Sequence, residues 1–114
     1  KISNNMSVND IRNPITVDLF EVKKGSSENS ATFIFGNENH TLGNPLRHIA
    51  MQQPETTFCG YSVPHPYEPK MNLRIQSQGT TAVKVLKKSL QDMETMCDLL
   101  DSEFDDALGR FTNN

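Results

Sequence analysis

The chain has 114 residues, of which 35% are hydrophobic and 22% charged, with a formal net charge of −3. That length predicts one domain, whose core buries roughly two thirds of the unfolded surface. No apolar run approaches the about 20 residues a bilayer crossing needs, and the one basic cluster is Lys84, Lys87 and Lys88; membrane association and direct nucleic-acid binding are both excluded as expectations.

The chain opens on Lys1 rather than Met and without the basic-then-apolar pattern of a secretion signal, so a trimmed N-terminus is expected. Residues 1–13 are polar, Asn-rich and aperiodic, and read as an extended or disordered arm, with residues 14–114 as the folded domain. Ile15, Val17 and Leu19 alternate with Thr16 and Asp18. The polar stretch from Lys24 to Asn29 then leads to Thr32-Phe33-Ile34-Phe35, so two strands of an antiparallel hairpin are expected.

Leu42, Leu46, Ile49 and Ala50 fall at i, i+4, i+7 and i+8, one face of a short helix that Pro54 ends. Two N-caps compete. Thr41 would leave Pro45 inside the first bonded turn, whereas Asn44 would place Pro45 at the favoured first helical position. The first turn is expected to be irregular or tightened. Thr56 to Val63 reads as a third strand, closed by Pro64-His65-Pro66, where two fixed φ angles force an extended corner. Met71, Leu73 and Ile75 alternate with Asn72, Arg74 and Gln76 in a fourth strand, and Gly79-Thr80 leads into the last element.

From Thr81 to Phe111 no Pro occurs, and Val83, Leu86, Leu90, Met93, Cys97, Leu100, Phe104, Ala107 and Phe111 follow at alternating steps of three and four. This is the spacing of one amphipathic helix. At roughly 1.5 Å per residue such a rod is about 46 Å long, whereas a compact domain of about 100 residues is roughly 35 Å across. Ala82, Val85, Met96 and Leu99 widen the apolar arc to nearly half the circumference, more than one buried contact requires. The helix is expected to overhang its domain and to be covered by something else. An ordinary core helix with a frayed end is the competing reading. Lys84, Lys87 and Lys88 lie in its first turns, and Asp105 and Asp106 near its end. The macrodipole disfavours that order by about 0.3 to 1 kcal/mol per charge, so the charges are expected to match a partner surface.

The order strand, strand, helix, strand, strand, helix with short loops predicts an α+β two-layer sandwich. Its four-stranded, mostly antiparallel sheet carries both helices on one face. Chemistry-bearing residues do not converge. There is no GxGxxG or P-loop lysine; His40, His48 and His65 lack metal-ligand spacing; Ser62 and Ser89 lack a nucleophile elbow. Asp92, Glu94, Asp98, Asp101, Glu103, Asp105 and Asp106 read as a solvated helix face, and Cys59 and Cys97 as buried small hydrophobes in a reducing compartment. No catalytic, cofactor-binding or metal-ligating residue is expected.

Three blocks carry a resemblance. His40-Thr41-Leu42-Gly43-Asn44-Pro45-Leu46-Arg47, Phe58-Cys59-Gly60-Tyr61-Ser62-Val63-Pro64-His65-Pro66 and Leu73-Arg74-Ile75-Gln76 together closely resemble the alpha-like small subunits of cellular RNA polymerases. The likeness runs from about Thr32 to Phe104. The second block is most similar to the branch shared by polymerases I and III. The resemblance implies the same element order and a non-catalytic role in rRNA, 5S rRNA and tRNA transcription in the nucleus, including the nucleolus. It also implies an obligate heterodimer with a larger alpha-like subunit, forming the platform for the large catalytic subunits. By resemblance the partner face comprises Leu42, Leu46, Ile49, Leu86, Leu90, Met93, Cys97 and Leu100, some of which are expected to face the chain's own sheet. The motif residues are His40, Thr41, Gly43, Asn44, Arg47, Gly60, Tyr61, Pro64, His65 and Pro66. Pro45 departs from the family pattern, where a non-proline residue is usual. The alternatives are the polymerase II or archaeal counterpart and, from another class, a small homodimeric enzyme or ligand-binding domain marked by a convergent pocket of perturbed His or Asp residues.

Overall fold

The computed structural model describes residues 19–113. The expected arm, residues 1–13, and the expected strand at Ile15–Asp18 lie outside the described residues. Within them the order is β1 (Phe20–Lys24), β2 (Ser30–Gly36), α1 (His40–Met51), β3 (Thr56–Ser62), β4 (Lys70–Ser77) and α2 (Ala82–Thr112). The first described strand begins at Phe20, with Leu19 in a bend. Cross-strand pairing sets this register: Phe20 lies opposite Phe35 and Val22 opposite Phe33. The Phe20 ring stacks on Phe33 at 6.2 Å and meets Phe35 edge-on at 5.2 Å, contacts that Phe20 makes as the start of the strand.

The sheet order is β1-β2-β4-β3 and all three pairings are antiparallel. β4 is central, and its alternation is clean. Met71, Leu73 and Ile75 are fully buried toward the helices, while Asn72, Arg74 and Gln76 remain half-exposed on the other face. There Arg74 donates from Nη2 to Ser30 Oγ at 2.7 Å and from Nη1 to Thr32 Oγ1 at 3.3 Å, tying β4 to β2. Both helices pack on the opposite face. Leu46 and Ala50 of α1 join Ala82, Val85 and Leu86 of α2 over Ala31, Phe33, Cys59 and the β4 residues.

Neither expected cap starts α1. Asn39 does: its Oδ1 accepts from the Thr41 N–H at 2.8 Å, and its carbonyl accepts from Gly43 at 3.0 Å. Asn is as good a cap as any residue, and placing it at position 39 lets the helix gain a turn. Pro45 consequently sits inside the helix, where it forgoes the bond to the Thr41 carbonyl. α2 starts as its sequence suggests. Gly79 supplies a φ of +87° in the preceding turn, and the Thr81 side chain accepts from the Lys84 N–H at 3.2 Å.

The radius of gyration is 17.6 Å, against about 13 Å for a compact domain of this length. α2, with 31 residues, is a rod of about 46 Å, longer than the sheet it packs on.

Candidate partner interface

The amphipathic seam of α2 runs its whole length, but the domain covers only its start. Ala82, Val85, Leu86 and Ser89 are buried, and Met93 packs partly against the core. Ser89 is fully buried because it is small and its hydroxyl donates to the Val85 carbonyl at 2.8 Å. The cover ends at a polar joint. Gln53, just past α1, donates from Nε2 to Asp92 Oδ2 at 2.9 Å, and Lys88 reaches Asp92 Oδ1 at 2.6 Å. These bonds, the Lys88 one first, hold the Asp92 carboxyl below its ordinary value.

Beyond Met93 no described residue of α2 is buried. Met96, Leu99, Leu100, Phe104, Leu108 and Phe111 are all exposed, Leu100 at 62%, Phe104 at 63% and Phe111 at 77%. A shallow depression of about 500 Å³ lies on the seam among Cys97, Leu100 and Phe104. Large contiguous apolar surface of this kind marks an interaction face.

The expected partner residues divide accordingly. Leu46, Ile49 and Leu86 are at most 5% exposed, Leu46 and Leu86 within the cluster on the sheet; these are the members of the set that face the chain's own fold. Leu42 and Met93 are half-buried at the edge of the core. Leu90, Cys97 and Leu100 are exposed. Cys97 is thus not the buried residue its seam position suggests. Cys59 is buried, and desolvation pushes its thiol up to about 11, with the charge of Arg47 acting weakly the other way. Met96, Leu99, Phe104, Leu108 and Phe111 are added to the uncovered face. Apart from Leu108, these already stood on the seam or its flank.

Three of the motif residues, His40, Gly43 and Tyr61, build a joint between α1 and β3. The Tyr61 hydroxyl lies 2.7 Å from His40 Nδ1 and the two rings meet edge-on at 5.4 Å. A Cβ on Gly43 would stand 2.5 Å from the Tyr61 ring, so only glycine lets α1 and β3 approach this closely. Asn44 and Arg47 are exposed on α1; Pro64, His65 and Pro66 are exposed after β3. His40, His65 and Pro66 line a surface groove of about 610 Å³. Gly60 is half-buried beside Phe58. Among the described residues no group of three His, Cys, Asp or Glu side chains could hold a metal ion, and no helix is long and apolar enough to cross a membrane.

Known proteins give this geometry a family. Residues 30–103 match the RNA polymerase Rpb3/Rpb11 dimerisation domain. Over 85 residues the chain is 52% identical to the Schizosaccharomyces pombe "DNA-directed RNA polymerases I and III subunit RPAC2", covering 74% of this chain and 68% of that one. The Drosophila melanogaster protein of the same name is 45% identical over 86 residues, 75% of this chain and 82% of that one. The crystal structure of DNA-directed RNA polymerase subunit L from Thermoplasma acidophilum superposes with a TM-score of 0.69, over 83% of this chain and 93% of that one, at 16% identity, and so shares the fold. With its two-layer fold, its Gly43–Tyr61 joint and a matching region that spans most of the sheet and both helices, this chain belongs to the family of the RNA polymerase Rpb3/Rpb11 dimerisation domain.

Proposed function

We propose that this chain is the small alpha-like assembly subunit shared by RNA polymerases I and III, a non-catalytic protein that pairs with a larger alpha-like subunit. The observation that carries this is the uncovered half of α2, a helical face of large apolar side chains attached to a domain whose core is already complete. The names of the relatives at 45 to 52% identity support the polymerase I and III branch over the polymerase II one. On this reading the partner covers Leu90, Cys97 and Leu100 with Met96, Leu99, Phe104, Leu108 and Phe111, and touches Leu42 and Met93 at the rim. Burying even a few side chains of this size contributes about 1.5 to 3 kcal/mol each, which makes the heterodimer the stable form of the chain. The pair then serves as the platform for the large catalytic subunits, in the nucleus and nucleolus.

Affinity purification of the tagged chain from its own cells, with mass spectrometry of what stays bound, tests this. The expected result is a larger alpha-like subunit together with the largest subunits of both polymerases I and III. Polymerase II subunits alone would move the chain to the other branch, and a lone homodimer would end the assembly reading.

A further inference from the structure

α2 is held to the domain at both ends of its covered span. At the near end Ala82 is fully buried and its N–H donates to the Glu28 carbonyl at 2.9 Å. At the far end the half-buried Asp92 carboxylate accepts on both oxygens, from Gln53 Nε2 at 2.9 Å and from Lys88 Nζ at 2.6 Å. Gln53 is itself fixed. It is 8% exposed, and its Nε2 also donates to the Ile49 carbonyl at 3.3 Å, which uses both amide hydrogens. Its backbone N–H donates to Ala50 and its carbonyl accepts from the Thr56 N–H, each at 3.1 Å. The joint therefore ties α2 to the turn between α1 and β3, and through that turn to the sheet.

Stability alone does not call for these residues. A buried glutamine must have its donors met, whereas an apolar side chain fills the same space without that requirement. The Lys88–Asp92 pair, with its cation four residues before the carboxylate, has the less favourable of the two helical orders. What a satisfied polar contact adds over an apolar one is direction: it fixes one arrangement where apolar surfaces can slide. Position matters most here, because α2 is a lever beyond this point. Ala82 to Asp92 spans about 15 Å and Ala82 to Phe111 about 44 Å. A pivot at Ala82 that shifts Asp92 by about 1 Å therefore moves Phe111 by about 3 Å, a misfit that close-packed apolar contacts do not absorb.

Resting on the assembly reading above, we propose that Gln53 and Asp92 are positioning residues for the partner interface: their hydrogen bond sets the angle at which the uncovered half of α2 leaves the domain. Leu100, Phe104 and Phe111 are thereby presented to the partner in one orientation. Without the bond the helix stays folded and packed from Ala82 to Ser89, but its free half samples several tilts, of which one fits.

The tilt is measured on the full chain by pulsed electron paramagnetic resonance. Spin labels go on Lys23→Cys in the sheet and Ser102→Cys in the overhang, both exposed, with Cys97→Ser removing the one other exposed thiol. Asp92→Ala takes away the acceptor at a half-exposed position, and Gln53→Met takes away the donor. Each is expected to broaden the distance distribution of the free chain. Without the labels, each is expected to bind the purified larger alpha-like subunit about fivefold more weakly, as the share of chains in the fitting tilt falls. Asp92→Asn, whose amide oxygen still accepts from Gln53, should restore the narrow distribution and most of the affinity. A distribution as narrow as the parent's in folded Asp92→Ala overturns the proposal, and so does parental affinity in a variant whose distribution has broadened. Failure of the assembly reading shows instead in the parent chain, which would then not bind the larger subunit at all.

Discussion

The two halves of α2 carry the same apolar stripe and meet opposite fates. From Ala82 to Met93 the stripe lies on the sheet, with Ala82 and Ser89 fully buried; from Glu94 onward it continues in step and none of its described residues is buried. The covered half uses small or branched residues, Ala82, Val85, Leu86 and Ser89, as close packing on a sheet demands. The uncovered half carries Met96, Leu99, Leu100, Phe104 and Phe111, with the smaller Cys97 and Ala107 between them. A stripe fixes which face of a helix is apolar, and packing decides what meets it.

The same substitution in each half gives the sharpest contrast. Leu86→Asp places a carboxylate in the core and is expected to destabilise the domain by about 3 to 5 kcal/mol, enough to abolish a cooperative thermal transition followed by circular dichroism. Leu100→Asp is expected to leave that transition intact and to remove partner binding in pull-down. Equal effects in both assays would erase the distinction between the halves. Leu46→Asp belongs with Leu86→Asp, so its loss of association would follow from unfolding.

A smaller effect is expected at the joint that seats α1. Gly43→Ala drives a methyl into the Tyr61 ring and should lower stability by about 1 to 3 kcal/mol in a denaturant titration. Adding Tyr61→Ala should recover part of that loss, whereas strictly additive losses would place the strain elsewhere.

The two thiols report cover without perturbing the fold. Cys97 of the free chain should alkylate readily at neutral pH and become protected when the partner binds. Cys59, buried and pushed up to about 11, should stay unreactive in both states. Rapid labelling of Cys97 in the assembled pair would remove it from the interface.

The smallest effect lies at the boundary between the halves. The Asp92 carboxyl is held below its ordinary value of 3.8, chiefly by Lys88 and then by Gln53. Its folded-state pKa is depressed, so its stabilisation is present above that ordinary value and is lost as pH falls through the lower folded one. Asp92→Asn should therefore lower the thermal midpoint slightly at neutral pH, where that stabilisation is fully present, and reduce its fall as the pH drops through that range. An unaltered pH profile would show the joint to be without consequence.

Element type was written locally and could be read. The three-and-four spacing from Val83 to Phe111 gives the last helix almost to the residue, and the alternation of Met71, Leu73 and Ile75 gives β4 and its buried face. Element starts were less legible, because several residues compete for each. Asn39, Thr41 and Asn44 can all cap α1. The choice went to Asn39 through its bonds to Thr41 and Gly43, which capping geometry supplies.

The interface divides along the same line. Residue spacing alone identified an apolar helical face too long for its domain, and the three blocks His40 to Arg47, Phe58 to Pro66 and Leu73 to Gln76 together marked the family. Periodicity treats Leu46, Ile49, Leu86, Leu90 and Leu100 as equivalent, since a helical repeat records only angle about the axis. Position along that axis relative to the sheet separates them, and it is set by packing: the sheet and α1 end near Asp92, so Leu86 is core and Leu100, about 21 Å further along the rod, is left for a partner.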